Sequence, residues 1–270
     1  MVLFEVNYFS NSLGINTNLN VIIPQRKTNQ IDDKDYDNYN KDGYPVIYLL
    51  HGLGNDESIW MRRTSIERYA SKYGFAVVMP TTQLGGYIDN AYGAKYWTFI
   101  SEELPSFCKE YFSNLSVKKE DTFVAGASMG GYGSFKLALS RPERFKAAAA
   151  LSGPLDIINE SNLERFKSKR PFWEGIFGKI EDIGESKNDL VYLVDLILQN
   201  NDIKIEEIPK LYSWCGTEDF LYNCNLEFEE KIKNLGMKLE ANYSKGDHNW
   251  SSWDREIKNV LKWFSQLRNK

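Results

Sequence analysis

The stretch Thr122-Phe123-Val124-Ala125-Gly126-Ala127-Ser128-Met129-Gly130-Gly131 decides the fold. Thr122–Ala125 reads as a strand covered on both faces, which needs a short apolar run. Gly130–Leu139 reads as the helix that follows. Between them stands G-x-S-x-G, from Gly126 to Gly130. A serine on so tight a turn needs small neighbours two residues away on each side. The turn lifts Ser128 Oγ above the sheet. It also aims the Met129 amide and the helix N-terminus at the place where an oxyanion would form. Five residues with three fixed positions carry little information alone. The strand–turn–helix context makes the signal specific.

The same alternation extends in both directions. Val46–Leu50, Phe75–Met79, Ala147–Leu151, Leu211–Cys215 and Leu239–Tyr243 read as further strands. Helical spacing joins Ile66, Tyr69, Ala70 and Tyr73, then Ile100 to Tyr111, where Pro105 predicts a kink or a restart. A further helix runs through Phe228, Ile232 and Leu235. Ile257, Val260, Leu261, Phe264 and Leu267 stripe the last one. Leu3–Ser10 and Leu19–Ile23 look like a hairpin or meander, and the polar stretch from Arg26 to Tyr44 like a mobile surface loop. Strands alternating with helices predict an α/β fold with a mostly parallel central sheet covered by helices on both faces. With the serine turn this is the α/β-hydrolase fold, a single domain over 1–270. The interval from about 155 to 208 breaks the rhythm. It is charged and aromatic, and reads as a helical cap inserted over the sheet's C-terminal edge, where ligands bind.

The totals restrict the function classes. A chain of 270 residues with 42% hydrophobic content fills one large core. A net charge of −4 argues against a nucleic-acid footprint. Three scattered cysteines, Cys108, Cys215 and Cys224, make no disulfide framework. The N-terminus lacks a signal-peptide pattern, and no apolar run reaches the ~18 residues of a membrane span. The expectation is a cytoplasmic protein acting on a small molecule, with no nucleic-acid or membrane partner. Whether it forms a homo-oligomer is left open.

A serine hydroxyl needs a general base. The chain has two histidines, His51 before the serine and His248 after the last strand. This fold places its residues in the order serine, acid, histidine, which selects His248. The acid should leave a strand between the two, and Asp219 does so, at the end of Gly216-Thr217-Glu218-Asp219. Glu218 is the competing neighbour. Asp156, Asp195 and Asp247 fit worse. The loop Leu50-His51-Gly52-Leu53-Gly54-Asn55 is where the second oxyanion amide belongs, so the hole is assigned to Leu53 and Met129. His51 then shapes that loop.

Aromatic residues beside these motifs are the substrate clues. Trp60, Trp97, Tyr222 and Trp250 are candidates for an apolar acyl or aryl pocket, with Tyr96, Phe172 and Trp173 nearby in sequence. No metal-ligand spacing and no dinucleotide fingerprint appears, so neither metal nor cofactor is expected. The reaction these residues predict is ester hydrolysis through an acyl-enzyme. An acyltransferase would use the same intermediate with an alcohol acceptor, and a non-catalytic module on this scaffold is the third reading.

LLHGLGND, GASMGGYGSFKLAL, CGTEDFLYN and GDHNWSSWD, together with Leu13-Gly14 leading into Asn20-Val21-Ile22-Ile23-Pro24, resemble the esterase D-like family over nearly the whole chain. Its small tributyrin-type esterases look nearest. Feruloyl esterases, acetyl xylan esterases and S-formylglutathione hydrolases are relatives. The last group carries a Thr-Cys pair after HGL and a Pro-Asp motif after the next strand, where this chain reads HGLGND and VVMPTTQLGG. The resemblance implies a Ser128–Asp219–His248 triad with oxyanion amides from Leu53 and Met129. It implies a serine carboxylesterase for short-chain acyl esters, or for feruloyl or acetyl esters of plant polysaccharides.

Overall fold

The structure, a computed structural model, describes residues 1–25 and 43–268. The polar loop expected from Arg26 onward falls, for 26–42, outside the described residues.

Eight strands form one sheet in the order β1-β2-β4-β3-β5-β6-β7-β8. β1 (Val2–Ser10) and β2 (Ile15–Ile23) are the expected hairpin, and β2 joins β4 (Ala76–Pro80) antiparallel. From β4 onward every pairing is parallel: β3 (Val46–Leu50), β5 (Thr122–Ala127), β6 (Ala147–Leu151), β7 (Lys210–Gly216) and β8 (Leu239–Ser244).

The central strands are apolar throughout because each face is covered. Along β3, Val46, Tyr48 and Leu50 enter one core layer, while Ile47 and Leu49 enter the other. That period of two is set by strand geometry. The second layer is closed by α1 (Ile59–Arg63), α2 (Ile66–Tyr73) and α10 (Trp250–Arg268), whose Ile257, Val260, Leu261 and Phe264 are fully buried. The first is closed largely by α5 (Met129–Ser140) and α9 (Tyr222–Asn234).

Pro105 marks a restart, as one of its two expected readings had it. α3 (Tyr96–Thr98) passes through a π-helical turn, Phe99–Glu103, into α4 (Leu104–Tyr111), which has the proline in its first turn. The wider turn absorbs a residue that cannot donate to the ladder. Between β6 and β7 the chain is helical, with α6 (Glu160–Ser168), α7 (Arg170–Phe177) and α8 (Leu190–Gln199). All three cysteines are free and buried. Among the described residues no helix is long and apolar enough to cross a membrane.

Candidate active site

Ser128 sits between β5 and α5 with φ +55° and ψ −123°, backbone that a non-glycine residue rarely adopts. The glycines around it are required by contact. A Cβ on Gly126 would stand 2.2 Å from the Gly130 carbonyl oxygen, and one on Gly130 would stand 2.4 Å from that of Leu50. The turn can therefore close only with hydrogen at both positions.

The loops after β7 and β8 bring the other two residues to the serine. His248 Nε2 lies 2.9 Å from Ser128 Oγ, and His248 Nδ1 lies 2.9 Å and 3.1 Å from the two Asp219 oxygens. An ionised carboxylate only accepts, so Nδ1 carries the proton and Nε2 is free to accept from the serine hydroxyl. Asp219 is 5% exposed, and the Leu221 amide also donates to it. Burial pushes its carboxyl up, but the hydrogen bond and charge of His248, with help from the Leu221 amide and the Ser152 hydroxyl, hold it below the usual carboxylate range. Glu218 is exposed, and its amide donates to Gly246 O.

The loop after β3 presses against the nucleophile, where a Cβ on Gly52 would lie 3.4 Å from Ser128 Cβ. His51 takes no part in the chain of bonds at Ser128. Its Nδ1–H donates to Gly52 O at 2.7 Å, and its Nε2 accepts from the Thr82 amide at 2.9 Å. Burial lowers its pKa and keeps it neutral. Tyr87 hydroxyl donates to His51 O at 2.7 Å and braces the same loop.

The side chains of the four candidate pocket aromatics make no ring contact or hydrogen bond with Ser128, Asp219 or His248 among the described residues. Trp60 is 1% exposed, donates to Leu50 O at 3.0 Å and meets Trp250 edge-on at 5.1 Å. Its expected place in the pocket is corrected by that burial, because α1 turns the indole into the core behind the loop. Trp250 packs between Trp60 and Trp253. Tyr222 meets Tyr243 edge-on at 5.5 Å, between α9 and β8. Trp97 lines a separate cavity between α5 and α8.

Other residues surround the site instead. Phe220, 54% exposed, has its ring centre 4.5 Å from that of His248, and the Arg165 guanidinium lies over the Phe220 ring, 4.4 Å from its centre. Trp253 meets the same imidazole edge-on at 5.0 Å and donates to Ser152 Oγ at 3.1 Å. Leu84, 51% exposed, stands beside Gly54 of the loop after β3. A Cβ on Gly86 would lie 3.2 Å from Ile176 of α7 and 3.8 Å from Met129 Cε. Phe220 was the one within reach of sequence reasoning, as the residue directly after the acid.

A family model described as "Putative esterase" matches residues 10–264. An acetyl esterase of Caldicellulosiruptor saccharolyticus is 28% identical over 272 residues, 99% of this chain and 99% of that protein. FphF, a fluorophosphonate-binding serine hydrolase of Staphylococcus aureus solved with substrate bound, matches with a TM-score of 0.85 at 34% identity over 98% of each chain. FrmB of the same organism, an S-formylglutathione hydrolase, matches with a TM-score of 0.82 at 32% identity, again over 98% of each. With its eight-stranded sheet and these neighbours, the chain has the α/β-hydrolase fold. The chain belongs to the esterase family of that model and is a carboxylic-ester hydrolase.

Proposed function

We propose that the chain is a serine carboxylesterase that cleaves short-chain acyl esters through an acyl-enzyme on Ser128. The observation that carries this reading is the unbroken line of hydrogen bonds from Ser128 Oγ through His248 to a buried, ionised Asp219. His248 Nε2 takes the hydroxyl proton as Oγ attacks the ester carbonyl. Asp219 holds the imidazole in the required tautomer and stabilises the imidazolium. The oxyanion is received by the Leu53 and Met129 amides, neither of which donates to a protein acceptor among the described residues. His248 then protonates the departing alcohol, and water activated by the same imidazole releases the acid.

A small acyl group is the substrate class this reading favours, an acetyl ester above the others. The acetyl esterase relative supports the same class. The helices between β6 and β7 act as the cap, with Arg165 of α6 lying over Phe220 beside His248. Hydrolysis of p-nitrophenyl esters from C2 to C8, alongside methyl ferulate and acetylated xylan, tests the assignment. The C2 ester should give the highest kcat/KM. A fluorophosphonate probe that fails to label Ser128, or activity retained by pure Ser128→Ala, would overturn the mechanism.

A further inference from the structure

A cavity of about 570 Å³ opens between α3, α5 and α8, and none of Ser128, Asp219 or His248 lines it. Its apolar wall comes from Leu193, Leu196 and Ile197 of α8, together with Ile88 and Ile203. Lys136 of α5 also lines it, although only 3% of that residue is exposed. Lys136 Nζ donates to Asn188 Oδ1 at 2.7 Å and to Tyr87 O at 3.4 Å, and lies 4.7 Å from the centre of the Trp97 ring. All three partners are neutral. Buried ammonium groups are ordinarily paired with a carboxylate.

The nearby carboxylates are committed elsewhere. Asp89 accepts from the Thr98 amide and hydroxyl at 2.8 Å and 2.7 Å. Asp189 accepts from the Val191 and Tyr192 amides at the start of α8 and from the Glu185 amide. Glu102 is paired with Arg141 and Arg144. The cavity thus joins an aliphatic wall to a buried amine that forms no ion pair among the described residues; Asp89, which also lines the cavity, is held by Thr98.

We propose that this cavity binds a monocarboxylate with a medium-length aliphatic tail, its head paired with Lys136 and its tail along α8. The proposal stands on the cavity alone and holds whether or not the reaction assigned to Ser128 is correct. The site also has a route to the serine. Tyr87 accepts from Lys136 through its carbonyl and donates to His51 O through its hydroxyl, so the ligand site and the loop after β3 share one residue.

Burial lowers the Lys136 pKa to about 7, against the opposing pull of Asp89. The other charged or titratable groups around it are Tyr132 on its own helix, Arg141 at that helix's end, and Lys187 before α8. Only the protonated amine attracts a carboxylate, so binding takes up a proton. Affinity should be about tenfold weaker at pH 8 than at pH 6, while octanoate itself stays ionised.

Isothermal titration of octanoate into the full chain tests this, with octanol and inorganic phosphate as comparison ligands. Octanoate should bind, and octanol and phosphate should each bind at least about tenfold more weakly. Lys136→Met should weaken octanoate by about tenfold or more and remove the pH dependence. Leu196→Glu, at a position 43% exposed, places a carboxylate on the wall and should weaken octanoate without disturbing the core. It decides the matter if Lys136→Met fails to fold. Equal binding of octanol, tighter binding of phosphate, a pH-independent affinity, or no octanoate binding at pH 6 would overturn the proposal. So would variants that are folded by circular dichroism and bind octanoate as the parent does.

Discussion

A Cβ on Gly216 would stand 2.2 Å from the carbonyl oxygen of Gly246. These two glycines begin the loops that carry Asp219 and His248, and the loops are laced together at that point. Thr217 N–H donates to Ser244 O and Glu218 N–H to Gly246 O, both at 3.0 Å. The Trp214 ring presses on Gly246 from the other side, 3.0 Å from where its Cβ would be. The distance between acid and base is therefore fixed by backbone contact and not by the two side chains alone.

Gly216→Ala should in consequence damage both folding and turnover. The added methyl must push the two loops apart. A loss of about 2–3 kcal/mol in urea unfolding is expected, in the range of overpacked cores. In the fraction that folds, kcat for p-nitrophenyl acetate should fall while KM changes little, because Asp219 loses its hold on His248 before any substrate contact is lost. An unchanged kcat would show that the loop contact does not set the acid–base distance.

The acid itself can be separated from its neighbour. Asp219→Asn replaces an acceptor with a group that can present N–H to His248 Nδ1, favouring the wrong tautomer. By analogy with serine proteases kcat should fall by up to ~10⁴. Glu218→Gln should leave kcat within about twofold, since that side chain is exposed. Steady-state kinetics on the two variants decides between them, and a larger loss at Glu218 would move the acid by one residue. The lowered Asp219 pKa sets the acid side of the stability profile. A carboxyl depressed in the folded state stabilises the fold above its unfolded pKa of about 3.9 and loses that contribution as pH falls through the folded value. Asp219→Asn should therefore flatten the acid-unfolding curve below about pH 4.

Ser128 was legible because sterics leave the sequence no freedom there: with Gly126 and Gly130 in van der Waals conflict with any side chain, the motif is the geometry. His248 was legible because only two histidines exist and the chain order of this fold selects the later one; in the structure both nitrogens of His51 serve backbone groups. Side-chain direction was not legible. Trp60 follows the loop after β3 closely, but the short α1 rotates it inward to Leu50 O. Phe220 and Tyr222 lie on either side of Leu221. The Asp219 turn sets Phe220 against His248, while the start of α9 sends Tyr222 toward Tyr243. Gly216, Gly246 and Ser152 matter only through contacts with residues far along the chain. Pro105 signalled the restart of α4, but periodicity gives no sign of the π-helical turn before it.

Phe220 should contribute to ester binding. It is exposed, rests on the His248 ring and is covered by Arg165. Phe220→Ala removes an aromatic surface of the kind worth roughly 1 kcal/mol in ring contacts, so KM for p-nitrophenyl esters should rise on the order of fivefold with a smaller change in kcat. Phe220→Leu, which keeps an apolar side chain, should recover part of the loss. A fall in kcat alone would instead mean that the ring positions His248.

Lys136 offers a stability test independent of any ligand. Its folded pKa of about 7 lies below the unfolded value of about 10.4. The unfolded chain therefore binds more protons between those two values, and stability rises with pH across that window. Below about pH 7 the full cost of charging a buried amine is present. Above about pH 10 it is gone. Lys136→Met removes the titration, so its Tm should exceed that of the parent at pH 6 and 7, and the gap should narrow steadily toward pH 10. Each kcal/mol recovered corresponds to about 2–4 °C in a chain of this size. Leaving Asn188 Oδ1 without its donor offsets part of the gain at every pH, but it has no pH dependence of its own, so the slope of the difference is the readout. A Tm difference that stays constant from pH 6 to pH 10 would mean that Lys136 keeps its charge in the folded protein throughout.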